Sequence, residues 1–327
     1  MLKKTDFDFI VIGAGAAGLT AAQYGARSGL NTLVIDLSDA GGQALNIFTL
    51  ENYPGVFPPM PGRDFIKNME KQAKSFGAKI IHSKVSSIDK IGNHFVLKTA
   101  DGELKSYAVL IATGAQHRAL GVDGEKKFLG RGVSYCATCD GPFFKGKKII
   151  VVGGGDSACS EAFYLATLSN SVMLIHRRKQ LRAQKAVAEK ILNHPNITVR
   201  YNSVVKKING KDKVESVVLE NVETEETVEL PTDAVFIFIG MNPRTDLVAM
   251  LPKDETGYLI TNYKMETIVP GMYAAGDVRA KPFRQIITAS SDGAIAAHQA
   301  HEYVNTLKAQ LAMTAGTTQA AQTGAAK

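Results

Sequence analysis

Tryptophan is absent from this 327-residue sequence, aromatic residues make up only 7% of it, and there are just three cysteines. So few cysteines exclude a disulfide scaffold and point to a reducing compartment, here the cytoplasm. No apolar run reaches the roughly 18–20 residues that a membrane helix needs. The opening stretch MLKKTDFDFIVIGAGAAGLTAA has the lysines and apolar centre of a secretory leader, but Asp6 and Asp8 interrupt it. Charge of one sign is not in marked excess either: the net charge is +7, with one basic run free of acids, HRRKQLRAQK (176–185). A nucleic-acid partner would need a broader basic footprint and groove-reading elements, which are not visible. Zinc needs about four ligands, and no further His or Cys lies at ligand spacing near Cys136 and Cys139, so no metal is expected. With 45% apolar residues, the chain is long enough for two domains, each with its own core.

What is present is said twice. DFIVIGAGAAGLTAAQYGARSG (8–29) reads as strand, glycine turn and helix, and NTLVID (31–36) as the next strand. KKIIVVGGGDSACSEAFYLATLS (147–169) and SVMLIH (171–176) repeat that order, with Gly153 and His176 as far apart as Gly13 and Asp36. Between the copies, RDFIKNMEKQAKSFGA is helical, and HFVLKTADGELKSYAVLIATG is a hairpin turned at Asp101-Gly102. After the second copy, KAVAEKILN is helical, NITVRYNSV is one strand, and a further sheet region ends in AVFIFIG (234–240). A third apolar strand ends in GMYAAGD (271–277) before a helix-like QIITASSDGAIAAHQAHEYVNTL. The tail from about Lys308 is simple in composition and is expected to be disordered or frayed helix. The fold class is therefore α/β, with two dinucleotide-binding units.

In Gly13-Ala-Gly15-Ala-Ala-Gly18 the first glycine permits the tight turn. The second lets backbone approach a pyrophosphate, and the third lets helix pack on strand. The helix N-terminus offers amides and partial positive charge to phosphates. Asp36 can accept hydrogen bonds from ribose hydroxyls. In the second copy, Gly153-Gly154-Gly155-Asp156-Ser157-Ala158, alanine takes the packing position. At the strand end His176 replaces the acid, and Arg177, Arg178 and Arg182 follow. A carboxylate there would repel a 2′-phosphate, whereas guanidinium groups bind one, so this site is expected to prefer NADPH. The plainer reading is a solvated basic face.

Cys136 and Cys139 sit two residues apart in GVSYCATCDGPFF. That spacing suits a disulfide, but closing so short a loop stabilises a fold by only about 2 kcal/mol. A reversible dithiol–disulfide couple accounts for the pair better. Asp140 follows directly, either as a turn residue before Gly141-Pro142 or as the acid that protonates a departing thiol. Cys159 reads as a buried, inert thiol. A dithiol and a nicotinamide do not readily exchange electrons directly, so a flavin is expected between them, in the order NADPH, FAD, disulfide.

These segments, together with GGQ (41–43), ENYPG (51–55), ATGA (112–115), AAGDV and RQIITASSDGAIAA (284–297), resemble the low-molecular-weight thioredoxin reductases over roughly residues 6–307. CATCD inside the second dinucleotide unit separates that group from the glutathione-reductase type. The resemblance implies a homodimer that reduces thioredoxin. It implies an FAD domain of 1–117 and 246–327 with an NADPH domain, 118–245, inserted into it. It carries over Gly13, Gly15, Gly18, Asp36, Gly41, Gly42, Gln43, Asn52, Val85, Thr113 and Gly114 as FAD contacts. Asp277 would bind the ribityl chain, and Arg284, Gln285 and Ile286 would border the flavin. Gly154, Gly155, Asp156, Ser157, Ala158, His176, Arg177, Arg178 and Arg182 would hold NADPH. Cys139 would face the flavin, Cys136 would attack thioredoxin, and Asp140 would be the proton donor. The domains would rotate about hinges near Arg118–Leu120 and Asn242–Asp246. Lys179 and Leu181 depart from the family's usual acid and aromatic. A related flavin disulfide reductase or dithiol oxidase with another acceptor is the alternative.

Overall fold

The computed structural model describes residues 6–47 and 50–324, except the side chains of Asn46, Cys139 and 315–324. The chain divides into two compact units, one of residues 1–115 with 243–327 and one of residues 116–242.

In the first unit, β1 (Phe7–Ile12) leads through the glycine turn into α1 (Ala16–Arg27) and returns as β2 (Thr32–Asp36). Then come α2 (Gly62–Ser75), β3 (Lys79–His82), β4 (Val85–Ile91), β5 (His94–Thr99) and β6 (Gly102–Ile111). The sheet order is β3-β2-β1-β6-β5-β4. The long strand β6 forks. Its first half pairs antiparallel with β5, while Val109–Ile111 pair in parallel with β17 (Met272–Ala274), which arrives from the far end of the chain.

Alternation along β1 assigns its residues to two cores. Phe9 and Val11 face the helices, with Ala17, Leu19, Ala296 and Ala300. Ile10 and Ile12 face the other way, with Phe95, Leu97 and Leu259. The last helix, α6 (Ile286–Gly324), packs backbone-close on α1, and a Cβ on Gly293 would lie 2.1 Å from the Ala17 carbonyl oxygen. Only small residues permit that approach, which explains the runs AAGLTAA and SSDGAIAA. The helix does not end near Lys308 but continues to Gly324, so the stretch expected to be disordered or frayed is helical as far as it is described. Alanine, the best helix former, is the commonest residue from 309 to 324 and outweighs the cost of Gly316 inside the helix.

The second unit repeats the design. The chain enters through β7 (Ala115–His117) and leaves through β16 (Met241–Pro243), and these two strands pair with each other. Inside lies a five-stranded parallel sheet. It uses β8 (Val133–Ser134), β9 (Ile149–Gly153), β10 (Val172–Ile175), β11 (Ile197–Arg200) and β15 (Ala234–Phe238), in the order β11-β10-β9-β15-β8. One face is covered by α4 (Asp156–Leu168) and α5 (Lys185–Leu192). The other packs on an antiparallel sheet of β12 (Ser203–Asn209), β13 (Ser216–Asn221) and β14 (Thr227–Pro231). The stretch NITVRYNSV is therefore two strands in different sheets, not one. Asn202, at φ +50°, turns the chain between them, a conformation asparagine tolerates better than most residues. A short helix, α3 (Ala137–Asp140), follows β8.

Candidate functional site

Both glycine turns stand at the carboxyl ends of parallel strands, where open α/β sheets bind ligands. In the first unit Gly13 adopts φ +107°, and a Cβ there would lie 2.3 Å from the Ala112 carbonyl oxygen. A Cβ on Gly18 would meet the Gly13 carbonyl oxygen at 1.8 Å. Gly15 by contrast faces open space, with Gly42 folded over it so that a Gly42 Cβ would sit 3.3 Å from the Gly15 Cα. Gly41 and Gly42 adopt φ +141° and +56°, and the Gly41 N–H donates to the Ala14 carbonyl at 2.8 Å. The result is a backbone cradle with room for a pyrophosphate.

Asp36 does more than end its strand. Its Oδ2 accepts from the Ala14 N–H at 2.6 Å and its Oδ1 from the Ser38 N–H at 3.1 Å, so the carboxylate also braces the turn. The Ser83 N–H donates to the Asp36 carbonyl, which brings Val85 to the same edge. Gln43 Nε2 donates to the Ala115 carbonyl at 3.2 Å. Asn52 Nδ2 donates to Gln285 Oε1 at 3.0 Å, joining segments 233 positions apart. Thr113 Oγ1 donates to the Arg244 carbonyl, and the Arg244 N–H to the Gly114 carbonyl. Asp277 follows β17, in a turn whose Gly276 abuts Ala17 at the head of α1. Its Oδ1 is buried without a hydrogen bond among the described residues, and burial raises its pKa above the usual carboxylate value. Arg284 lies over the Tyr258 ring at 3.7 Å, with Gln285 between it and Ile286, the first residue of α6. A cradle, a strand-end acid and a carboxylate oxygen without a hydrogen bond fit a dinucleotide that carries further hydroxyl groups.

The second turn is built differently. A Cβ on Gly154 would lie 2.2 Å from His176 Nδ1, so the buried imidazole occupies the space that Ala14 fills in the first copy. Burial is the main cause holding the His176 pKa below its ordinary value, and the ring stays neutral near physiological pH. Gly155 faces open space, and Ala158 sits tightly against Gly153. The loop after His176 is pinned at its end: the Arg182 N–H donates to the Gly154 carbonyl at 2.7 Å. Asp156 accepts from both the backbone N–H and the side chain of Gln184, at 2.7 and 3.1 Å. Arg177, Arg178 and Arg182 are exposed on this loop, whose end is tied to the glycine turn, and Ser157 lies in the first turn of α4.

Cys136 follows β8 at the same end of the same sheet, two strands from β9, or about 10 Å. It is disulfide-bonded. Cys139 lies on α3, its side chain outside the described residues. The Cys136 N–H donates to Ser134 Oγ at 3.0 Å, and the Asp140 N–H to the Cys136 carbonyl at 3.2 Å. Asp140 closes α3, half-buried. Cys159 is free and buried, its pKa pushed up to about 11, mainly by burial.

Nothing in the sequence marks out Glu125. This buried carboxylate accepts from the Leu120 and Gly121 N–H groups, both at 2.7 Å, and from Tyr135 Oη at 2.6 Å. It therefore joins the entry segment of the unit to the residue before Cys136. Glu161, on α4, was also missed. Its Oε2 is buried without a hydrogen bond among the described residues, and burial lifts its pKa to about 7. A raised carboxyl contributes stability that is complete below the unfolded value of 4.5 and lost as pH rises to about 7. Glu161→Gln is therefore expected to raise the melting temperature by at least about 2 °C at pH 8 and to leave it unchanged at pH 4, as calorimetry at both pH values will show.

Residues 7–293 match the family described as pyridine nucleotide-disulphide oxidoreductase. The chain is similar to the thioredoxin reductase of Treponema pallidum, 54% identical over 305 residues that cover 93% of this chain and 99% of the relative. It is likewise similar to that of Bacillus subtilis, 44% identical over 313 residues covering 95% and 99%. The crystal structure of Lactococcus lactis thioredoxin reductase superposes with a TM-score of 0.89 at 41% identity, covering 92% of this chain and all of that one.

Proposed function

The chain belongs to the pyridine nucleotide-disulphide oxidoreductase family, and on that premise we propose that it reduces thioredoxin with electrons from NADPH, using bound FAD. One observation carries this reading: a disulfide-bonded Cys136 shares a sheet end with a glycine turn whose strand-end acid has given way to His176 and arginines.

FAD would supply the two-electron chemistry that links a hydride donor to a thiol couple. Gly13, Gly15, Gly18, Gly41 and Gly42 would cradle its pyrophosphate. Asp36 would accept from the ribose and Asp277 from the ribityl chain. Gln43, Asn52, Val85, Thr113, Gly114, Arg284, Gln285 and Ile286 complete that proposed site. In the inserted unit, Gly154, Gly155, Asp156, Ser157 and Ala158 would receive the pyrophosphate of NADPH at the head of α4. Arg177, Arg178 and Arg182 would bind its 2′-phosphate by charge-assisted hydrogen bonds, with neutral His176 beneath them.

In the reduced pair, Cys136 is the proposed nucleophile. Its thiolate attacks one sulfur of the thioredoxin disulfide, and the other sulfur leaves as a thiolate that takes a proton. Cys139 then displaces the reduced client and re-forms the enzyme disulfide. Asp140, on the same turn, is the proposed proton source. Phe143, 80% exposed beside this turn, is an apolar contact that a protein client can cover. The two crossings between units, at 115–116 and 242–243, are the proposed hinges for alternating access to the cysteines. A homodimer in the cytoplasm is the proposed working form.

A steady-state assay with NADPH and a disulfide reporter, with and without thioredoxin, tests the proposal. Thioredoxin-dependent turnover is expected, and NADPH consumption indifferent to thioredoxin would overturn it.

A further inference from the structure

Behind Asp277 lies a buried set of charges that the proposed reaction does not itself use. Asp292, on the second turn of α6, is the hub. Its Oδ2 accepts from the Gly276 N–H and from Lys281 Nζ, both at 3.1 Å, and its Oδ1 accepts from Arg279 Nη1, also at 3.1 Å. Arg279 Nε is held in turn by Thr261 Oγ1 at 2.8 Å. Lys281 is almost wholly buried, its side chain 5% exposed, and stands between two carboxylates. With Asp292 it makes a hydrogen bond; from Asp277 Oδ1 it is 3.5 Å away, the distance of an ion pair too long for a good one. Asp277 Oδ1 accordingly makes no hydrogen bond among the described residues, although the side chain is 34% exposed. Two anions and two cations balance in a region where an unmatched charge is costly.

We propose that Asp292 is a positioning residue of the flavin site, which keeps Lys281 beyond hydrogen-bond distance of Asp277 Oδ1 and fixes the Gly276 amide so that this carboxylate oxygen stays free to accept from the cofactor. The inference rests on the FAD reading above. If Asp292 loses its charge, Lys281 is released to Asp277 and satisfies the oxygen that a ligand hydroxyl would use. The quartet also acquires a net positive charge, which favours the electron-richer, reduced flavin. Removing Lys281 instead leaves a net negative charge and favours the oxidised form.

The test uses the purified holoenzyme and three variants: Asp292→Asn, Lys281→Met and the two combined. FAD affinity is read by fluorescence on dissociation, and the flavin midpoint potential by spectroelectrochemical titration. Asp292→Asn is expected to weaken FAD binding about tenfold and to raise the potential. Lys281→Met is expected to lower the potential, and the double variant, neutral again, to return it to the wild-type value. A purely structural role would weaken binding without shifts of opposite sign. Potentials that do not move, or that move the same way in both single variants, overturn the proposal. If Asp292→Asn does not hold flavin, Lys281→Met and the double variant still decide the sign. Wild-type protein that takes up no FAD overturns the FAD reading as well, whereas normal flavin with unshifted variants overturns this inference alone.

Discussion

Cys136→Ser is expected to lower the turnover of thioredoxin reduction by at least about three orders of magnitude while leaving NADPH able to bleach the flavin absorbance. A serine hydroxyl is neither a thiolate nor able to form a mixed disulfide, so the client's disulfide loses its proposed attacking group and Cys139 its partner. Loss of a nucleophile typically removes nearly all of the chemical advantage of a site. Both glycine turns lie on other elements, and Cys136 is held mainly by Ser134 and the first turn of α3. Nucleotide binding should therefore survive the change. The check is parallel stopped-flow and steady-state measurement on one preparation. Full thioredoxin turnover in the variant would remove the dithiol from the mechanism.

Arg177→Ala combined with Arg178→Ala is expected to raise the KM for NADPH about 100-fold and that for NADH by less than about threefold. Each charge-assisted hydrogen bond to a phosphate is worth about 1.5–3 kcal/mol, and every 1.4 kcal/mol is roughly tenfold. NADH has no 2′-phosphate for the guanidinium groups to grip. The loop itself should hold, because it is fastened by the Arg182 N–H to the Gly154 carbonyl and by Gln184 to Asp156, neither of which involves the two replaced side chains. Equal losses with both nucleotides would show that these arginines shape the loop and do not read the phosphate.

Much of this site is legible in the sequence because its signals are local. A glycine that must adopt positive φ, as Gly13 does, or that must admit a neighbouring backbone, as Gly18 does, leaves a fixed spacing behind it. The change from Asp36 to His176 is equally visible, since it falls at matching offsets in two copies. What the sequence hides is who meets whom across long separations. Glu125 reads as one acid among several until folding places it under Leu120, Gly121 and Tyr135. Asp292 left a faint trace, a lone carboxylate in the small-residue run TASSDGAIAA, where a helix face packed on α1 would not otherwise carry charge. The corner at Asn202 depends on a single backbone angle, which is why one apparent strand became two. The stretch beyond Lys308 is ambiguous for another reason: its low apolar bulk speaks for disorder, while its alanines favour the helix that forms.

The close packing of α6 on α1, and of β17 against β6, has an implication for biosynthesis. The first unit cannot complete either of its cores until the last quarter of the polypeptide has left the ribosome, while every strand of the inserted unit is by then already translated. During translation the earliest-made helix must wait, with its alanine face uncovered, for a companion that is made last.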